Sequence, residues 1–106
     1  MRETIYNKLV RDCIPEIIAS GGKTCVTEIL PDEQYLEMLD AKLTEELSEY
    51  QESHSLEELA DLLEVLRAVA KARGWTWEDL EQVRQDKAAE RGGFEKKILL
   101  KEVRES

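Results

Sequence analysis

Apolar positions recur at helical rather than strand spacing through most of the chain. Leu36, Leu39, Leu43, Leu47 and Tyr50 fall three and four residues apart, which predicts one face of a long helix opening at Pro31-Asp32. The pattern breaks at Gln51-Glu52-Ser53-His54-Ser55, where Ser55 reads as the N-cap of a second helix. That helix carries Leu56, Leu59, Leu62, Leu63, Leu66, Val69 and Ala70 and stops at Gly74. Ala60, Val65, Ala68 and Ala72 widen its apolar surface beyond one stripe. A helix that is apolar on most sides is buried on most sides. Few other elements are available to cover it, so self-association is expected.

The flanks give weaker patterns. Pro15 suits the first turn of a short helix through about Ser20, ended by Gly21-Gly22. Thr76 caps a further helix, with Asp79 at its third position, that runs to about Arg91 before Gly92-Gly93. Residues 1–12 are predicted to be irregular. Lys23 to Leu30 is either a short strand or an extended connector, and Phe94 to Val103 either a strand or a loose arm. The expected architecture is all-α. A helical hairpin forms the core and completes a four-helix bundle by oligomerisation, with short irregular or extended terminal segments, in a single domain over 1–106.

Charge changes the picture in one place. Residues 37–64 hold ten acids (Glu37, Asp40, Glu45, Glu46, Glu49, Glu52, Glu57, Glu58, Asp61 and Glu64) against Lys42 alone, so this segment carries the whole formal charge of −9. Such a surface repels a bare nucleic-acid backbone, but not a nucleotide that arrives with a divalent cation. No apolar run approaches a membrane span, and the first residues have no apolar signal core. A cytoplasmic protein without a membrane partner is expected. Cys13 and Cys25 lack metal or redox spacing and read as two reduced thiols.

The acids are also ordered. Glu46/Glu49 and Glu58/Asp61 are both i,i+3 pairs, each on one helical face. Folded as an antiparallel hairpin, Glu49 pairs in level with Glu58, and Glu46 with Asp61, about a point between Ser53 and His54. Four carboxylates converging there, with no nearby Lys or Arg, repel one another unless a hard cation joins them. Mg²⁺, or Mn²⁺, suits an all-oxygen ligand set. One His and two scattered Cys argue against zinc. The alternative is that these are solvated acids of a surface helix, with Glu58 completing a capping box with Ser55. Glu45, Glu52, Glu57 and Glu64 read as solvated. His54 reads as a turn residue, and Trp75 and Trp77 as packing residues. Phe94 either closes over a ligand or anchors the tail.

The paired helices, with Glu46-x-x-Glu49 followed by Glu58-x-x-Asp61, resemble the MazG-like all-α nucleotide pyrophosphohydrolases, which include dimeric dUTPases and phosphoribosyl-ATP pyrophosphohydrolases. Tyr6-Asn7-Lys8-Leu9-Val10-Arg11-Asp12-Cys13-Ile14-Pro15-Glu16 and Lys87-Ala-Ala-Glu90-Arg91-Gly92-Gly93-Phe94 resemble segments of a house-cleaning branch of that superfamily. That branch usually has Lys where this chain has Cys13, and the eight residues between the acidic pairs make a short connection.

The resemblance implies Mg²⁺ held by Glu46, Glu49, Glu58 and Asp61, with Glu46 or Glu49 orienting water. It implies hydrolysis of a nucleoside triphosphate, canonical or not, to a monophosphate and pyrophosphate. Lys8, Arg11, Lys87 and Arg91 are the cations expected to meet the phosphates. The partner is then a small nucleotide rather than a nucleic-acid polymer, and the protein a homodimer or higher homo-oligomer. Two alternatives stand beside this: a phosphoribosyl-ATP pyrophosphohydrolase of histidine biosynthesis, and a non-enzymatic helical dimerisation module.

Overall fold

The computed structural model describes residues 3–105. These are helical, with α1 over Ile14–Ser20, α2 over Asp32–Ser53, α3 over Leu56–Ala72 and α4 over Trp77–Arg91. There is no strand among the described residues. The chain divides into two compact units, Met1–Trp75 and Thr76–Ser106.

In the first unit, α2 and α3 pack as an antiparallel hairpin joined by His54 and Ser55 alone. The break expected from Gln51 onward comes later, because α2 continues through Ser53. His54 then takes a left-handed conformation (φ 53°), its N–H donating to the Tyr50 carbonyl at 2.7 Å and its ring meeting Tyr50 edge-on. Ser55 caps α3 by accepting the Glu58 N–H. At the far end, Gly74 (φ +93°) ends α3. Its N–H reaches the Lys71 carbonyl and that of Trp75 reaches Ala70, a Schellman closure. An Arg73–Asp40 ion pair at 3.9 Å spans the two helices there. Lys23 to Leu30 resolves as a connector without regular structure between α1 and α2, not as a strand.

The hairpin buries little by itself. Among the described residues only Leu39 and Ala70 are buried apolar side chains. Leu62, Val65, Ala68 and Val69 form a half-buried inner stripe of α3. Leu56, Leu59, Leu63 and Leu66 form a second, bare stripe, with Leu56 82% exposed, and an open apolar groove of about 300 Å³ runs along it. Leu47, read from spacing as part of the inner face of α2, is also exposed in the single chain. Volume and shape conspire here: two helices bury one stripe each, and α3 has two.

The second unit is stabilised locally. Thr76 and Asp79 form a complete capping box, with Asp79 N–H donating to Thr76 Oγ1 at 3.0 Å and Thr76 N–H to Asp79 Oδ2 at 2.9 Å. Glu81 takes Arg84 and Gln85 along the same helix. Residues 92–105 follow without regular structure, and Phe94 is 98% exposed.

Candidate functional site

The inner stripes of the hairpin are apolar toward Gly74 and acidic toward the turn. Along α2 the stripe reads Leu39, Leu43, Glu46; along α3 it reads Val65, Leu62, Asp61, Glu58. Carboxylates therefore stand where continued periodicity would place leucines. One oxygen from each of Glu46, Glu58 and Asp61 lies within 4.8 Å of the others. Glu49 is half-buried one turn beyond Glu46 and does not complete that group. Three of the four expected carboxylates thus converge, and the fourth stands beside them.

Burial makes the group unusual. Glu46 is only 7% exposed, the one buried charged residue among those described. Its Oε2 and the Oε2 of Glu58 are buried without a hydrogen-bond partner. A buried polar atom without a partner costs on the order of 1–3 kcal/mol, a penalty that a cation at these oxygens would relieve. Burial pushes the Glu46 carboxyl above its ordinary range. Lys42 works against this and the neighbouring Glu49 charge adds to it.

The capping alternative for Glu58 does not hold in the structure. The Ser55 hydroxyl accepts the Glu58 N–H, but the Ser55 N–H donates to Ser53 Oγ at 3.2 Å rather than to the Glu58 carboxylate. Ser53 thereby frees Glu58 to turn inward. Its Cγ-extended carboxylate joins Glu46 and Asp61 instead of its own backbone.

Cations are closer than the sequence suggested. Lys42 Nζ lies 3.3 Å from Glu46 Oε1 and 3.4 Å from Glu45 Oε2. Its i,i+4 spacing to Glu46 was the available signal. From the irregular N-terminal segment, Lys8 Nζ donates to Glu45 Oε1 at 3.0 Å and Arg11 Nη2 to Asp61 Oδ1 at 2.6 Å. Glu45, read as solvated, is thus held by two lysines, and the Lys8 hydrogen bond draws its carboxyl below the ordinary range. Arg11 and Lys8 reach the acids, one on each helix of the hairpin. Asn7, at φ 46°, makes the left-handed turn that leads into Lys8, a conformation asparagine tolerates better than most residues. Lys87 and Arg91 lie one turn apart on one face of α4, in the second unit. His54 sits against Tyr50 and does not enter the carboxylate group. Cys13 and Cys25 are free thiols, Cys13 exposed at the start of α1.

Comparison with known proteins adds one relative. A protein of Mycolicibacterium smegmatis, described only as uncharacterized, is 52% identical over 42 residues, covering 40% of this chain and 43% of that protein. This chain therefore matches less than half the length of that relative. No family model and no solved structure matches the chain. No helix is long and apolar enough to cross a membrane among the described residues.

Proposed function

We propose that this protein is a Mg²⁺-dependent nucleotide pyrophosphohydrolase of MazG-like type that works as a homodimer. The observation that carries the reading is the inward-turned trio Glu46, Glu58 and Asp61, with two buried carboxylate oxygens left without partners. An all-carboxylate donor set matches a hard divalent cation, Mg²⁺ or Mn²⁺, and these three residues would hold it. When bound, the cation supplies charge neutralisation at the phosphates and acidifies water. A purely structural helical module has no use for unpartnered buried carboxylates, since leucines at the same positions would pack the hairpin at lower cost.

The chain's own residues take the remaining roles. Glu49, beside the trio and outside it, accepts the proton of a water that attacks the α-phosphorus. The bond from that phosphorus to the bridging oxygen breaks, and pyrophosphate leaves with its electron pair. Arg11 and Lys8 meet the charge that builds on the phosphate oxygens. Substrate identity is open between a surplus or non-standard nucleoside triphosphate and phosphoribosyl-ATP. The test is pyrophosphate release from a nucleotide panel with Mg²⁺. Turnover of at least one member, lost in Asp61→Asn, supports the reading, and no release from any member overturns it.

The homodimer rests on the bare stripe of α3. Leu56, Leu59, Leu63 and Leu66 form a continuous apolar face that a second copy, related by a twofold axis, would cover to complete a four-helix core. Light scattering at micromolar concentration should give twice the chain mass. A stable monomer would remove this part of the proposal.

A further inference from the structure

The N-terminal segment has two features that the hydrolytic reading does not require. It lies outside any helix, yet it is tied to the acidic end of the hairpin at two points. Moreover, one of its ties ends on a carboxylate of the trio. Arg11 Nη2 at 2.6 Å from Asp61 Oδ1 sets a positive charge against one carboxylate of the trio, a pairing that a divalent cation drawing on the same carboxylate has to weaken. Both Arg11 and Asp61 are substantially solvent-exposed, with side chains 57% and 42% accessible, so their pair is weak and readily exchanged. Glu46 and Glu58, by contrast, have no such exposed partner for their buried oxygens.

The geometry points to the segment around Lys8 and Arg11 being an internal counter-cation that occupies the site until metal and a phosphate-bearing ligand replace it. This inference rests on the metal reading above and extends it. Arg11 offsets the charge of Asp61, and Lys8 that of Glu45. When a divalent cation draws on Asp61, the hold of Arg11 on that carboxylate weakens while the side chain remains next to the site. It is then positioned to pair with the oxygens of a di- or triphosphate, where its planar guanidinium can make two parallel hydrogen bonds. The same side chain therefore opposes binding of metal alone and favours binding of metal with a polyphosphate. The two ligands become coupled through one arginine. That coupling would keep a free cation from settling in a site that has nothing to hydrolyse.

The turn into α1 gives this segment a fixed anchor behind Arg11. The Arg11 carbonyl accepts the Ile14 N–H at 3.0 Å, so the backbone at Arg11 is already the start of the α1 turn. A change of partner by the guanidinium then needs only side-chain rotation, not movement of α1.

The test is Mn²⁺ binding, followed by the loss of the free-ion electron paramagnetic resonance signal, for the wild type, Arg11→Gln, Arg11→Lys, Lys8→Gln and Asp61→Asn. Arg11→Gln is expected to bind Mn²⁺ alone about two- to fivefold tighter, the range that follows from giving up an exposed ion pair. Arg11→Lys, which keeps the charge, should stay near wild type. Lys8→Gln should change Mn²⁺ affinity less than Arg11→Gln, because Glu45 lies outside the trio. At saturating Mg²⁺, inorganic pyrophosphate should bind Arg11→Gln about tenfold or more weaker, the loss expected for a charge-assisted hydrogen bond. Unchanged or weaker Mn²⁺ binding in Arg11→Gln overturns the inference, as does unchanged pyrophosphate binding. An equal effect of Lys8→Gln also overturns it, since that would show general electrostatics rather than release of Asp61. If the wild type binds Mn²⁺, Asp61→Asn does not, and Arg11→Gln matches the wild type, the metal site stands and only the exchange falls. If the wild type binds no Mn²⁺ with or without pyrophosphate, both fall.

Discussion

Glu58 and Asp79 occupy the same position in their helices, the third residue after a hydroxyl N-cap, and behave in opposite ways. Asp79 turns back, accepts the Thr76 N–H and completes a capping box. Glu58 follows Ser55 at identical spacing but points away from its own backbone, while Ser53 takes the N–H that Glu58 would have satisfied. The difference is one of surroundings. Asp79 starts a helix whose acids are answered along the helix itself, with Glu81 held by Arg84. Glu58 starts a helix pressed against α2, where Glu46 already lies buried. The same local signal produces a cap in one helix and a candidate ligand in the other. A carboxylate's role is therefore set by what the opposite helix presents.

Activity should separate the two carboxylates most sharply. Glu58→Gln and Asp61→Asn are expected to lower pyrophosphate release by about a hundredfold or more, since metal polarisation is worth several kcal/mol of barrier. Asp79→Asn and Glu57→Gln should leave turnover of the folded protein nearly intact. Glu57 is rotated about 100° from Glu58 around α3 and is exposed. Equal activity in Asp61→Asn and Glu57→Gln would dissolve the distinction.

Metal should stabilise one end of the comparison only. At about 100 times its dissociation constant, Mg²⁺ contributes about 2.7 kcal/mol to a fold that binds it, which for a domain of this size raises the melting temperature by roughly 10 °C or more. Asp79→Asn should keep the whole shift, and Glu58→Gln should lose most of it. Differential scanning calorimetry at matched ionic strength reads the result.

Capping should act in the reverse sense. Ser55→Ala and Thr76→Ala each remove a hydroxyl that accepts a backbone N–H, at a cost of about 1 kcal/mol. Melting temperature should fall in both, and turnover at a temperature where the protein is folded should barely move. A loss of turnover in Ser55→Ala comparable to that of Asp61→Asn would show that the turn positions the acids more directly than the geometry implies.

The smallest effect carries an informative sign. Burial holds the Glu46 carboxyl above its ordinary range, so its ionised form destabilises the metal-free fold. The favourable contribution is complete below the unfolded glutamate value of about 4.3 and is lost as pH rises through the raised folded value. Glu46→Gln removes that loss. Without metal it should melt at the same temperature as the wild type or slightly higher at neutral pH, and its stability should depend less on pH just above the carboxylate range. A clear destabilisation at neutral pH would mean that Lys42 repays the burial of Glu46 in full.

The hairpin was legible in the chain because its signals are local and periodic. Leu36, Leu39 and Leu43 repeat at helical spacing, Ser55 and Thr76 cap, and Gly74 ends α3, each through bonds made within a few residues. The candidate site was legible in part for the same reason, since two i,i+3 acidic pairs spaced evenly about one break between helices leave few ways to arrange themselves. Leu47 and the length of α2 were less so: the inner face of a helix depends on where its neighbour lies, and a polar run such as Gln51 to Ser53 can continue a helix whose next turn is already paid for by packing.

What the amino-acid sequence determined by itself was the four helices, the caps and stops of all but α2, and the crowding of negative charge between residues 37 and 64. What only the tertiary structure decided was which acids face each other. It turned Glu58 inward, left Glu49 outside the trio, and brought Arg11 across 50 residues of chain to Asp61. The physical reason is range. Caps and helical periods are satisfied by neighbours in sequence, whereas burial and ion pairing depend on partners that only folding brings within a few ångströms.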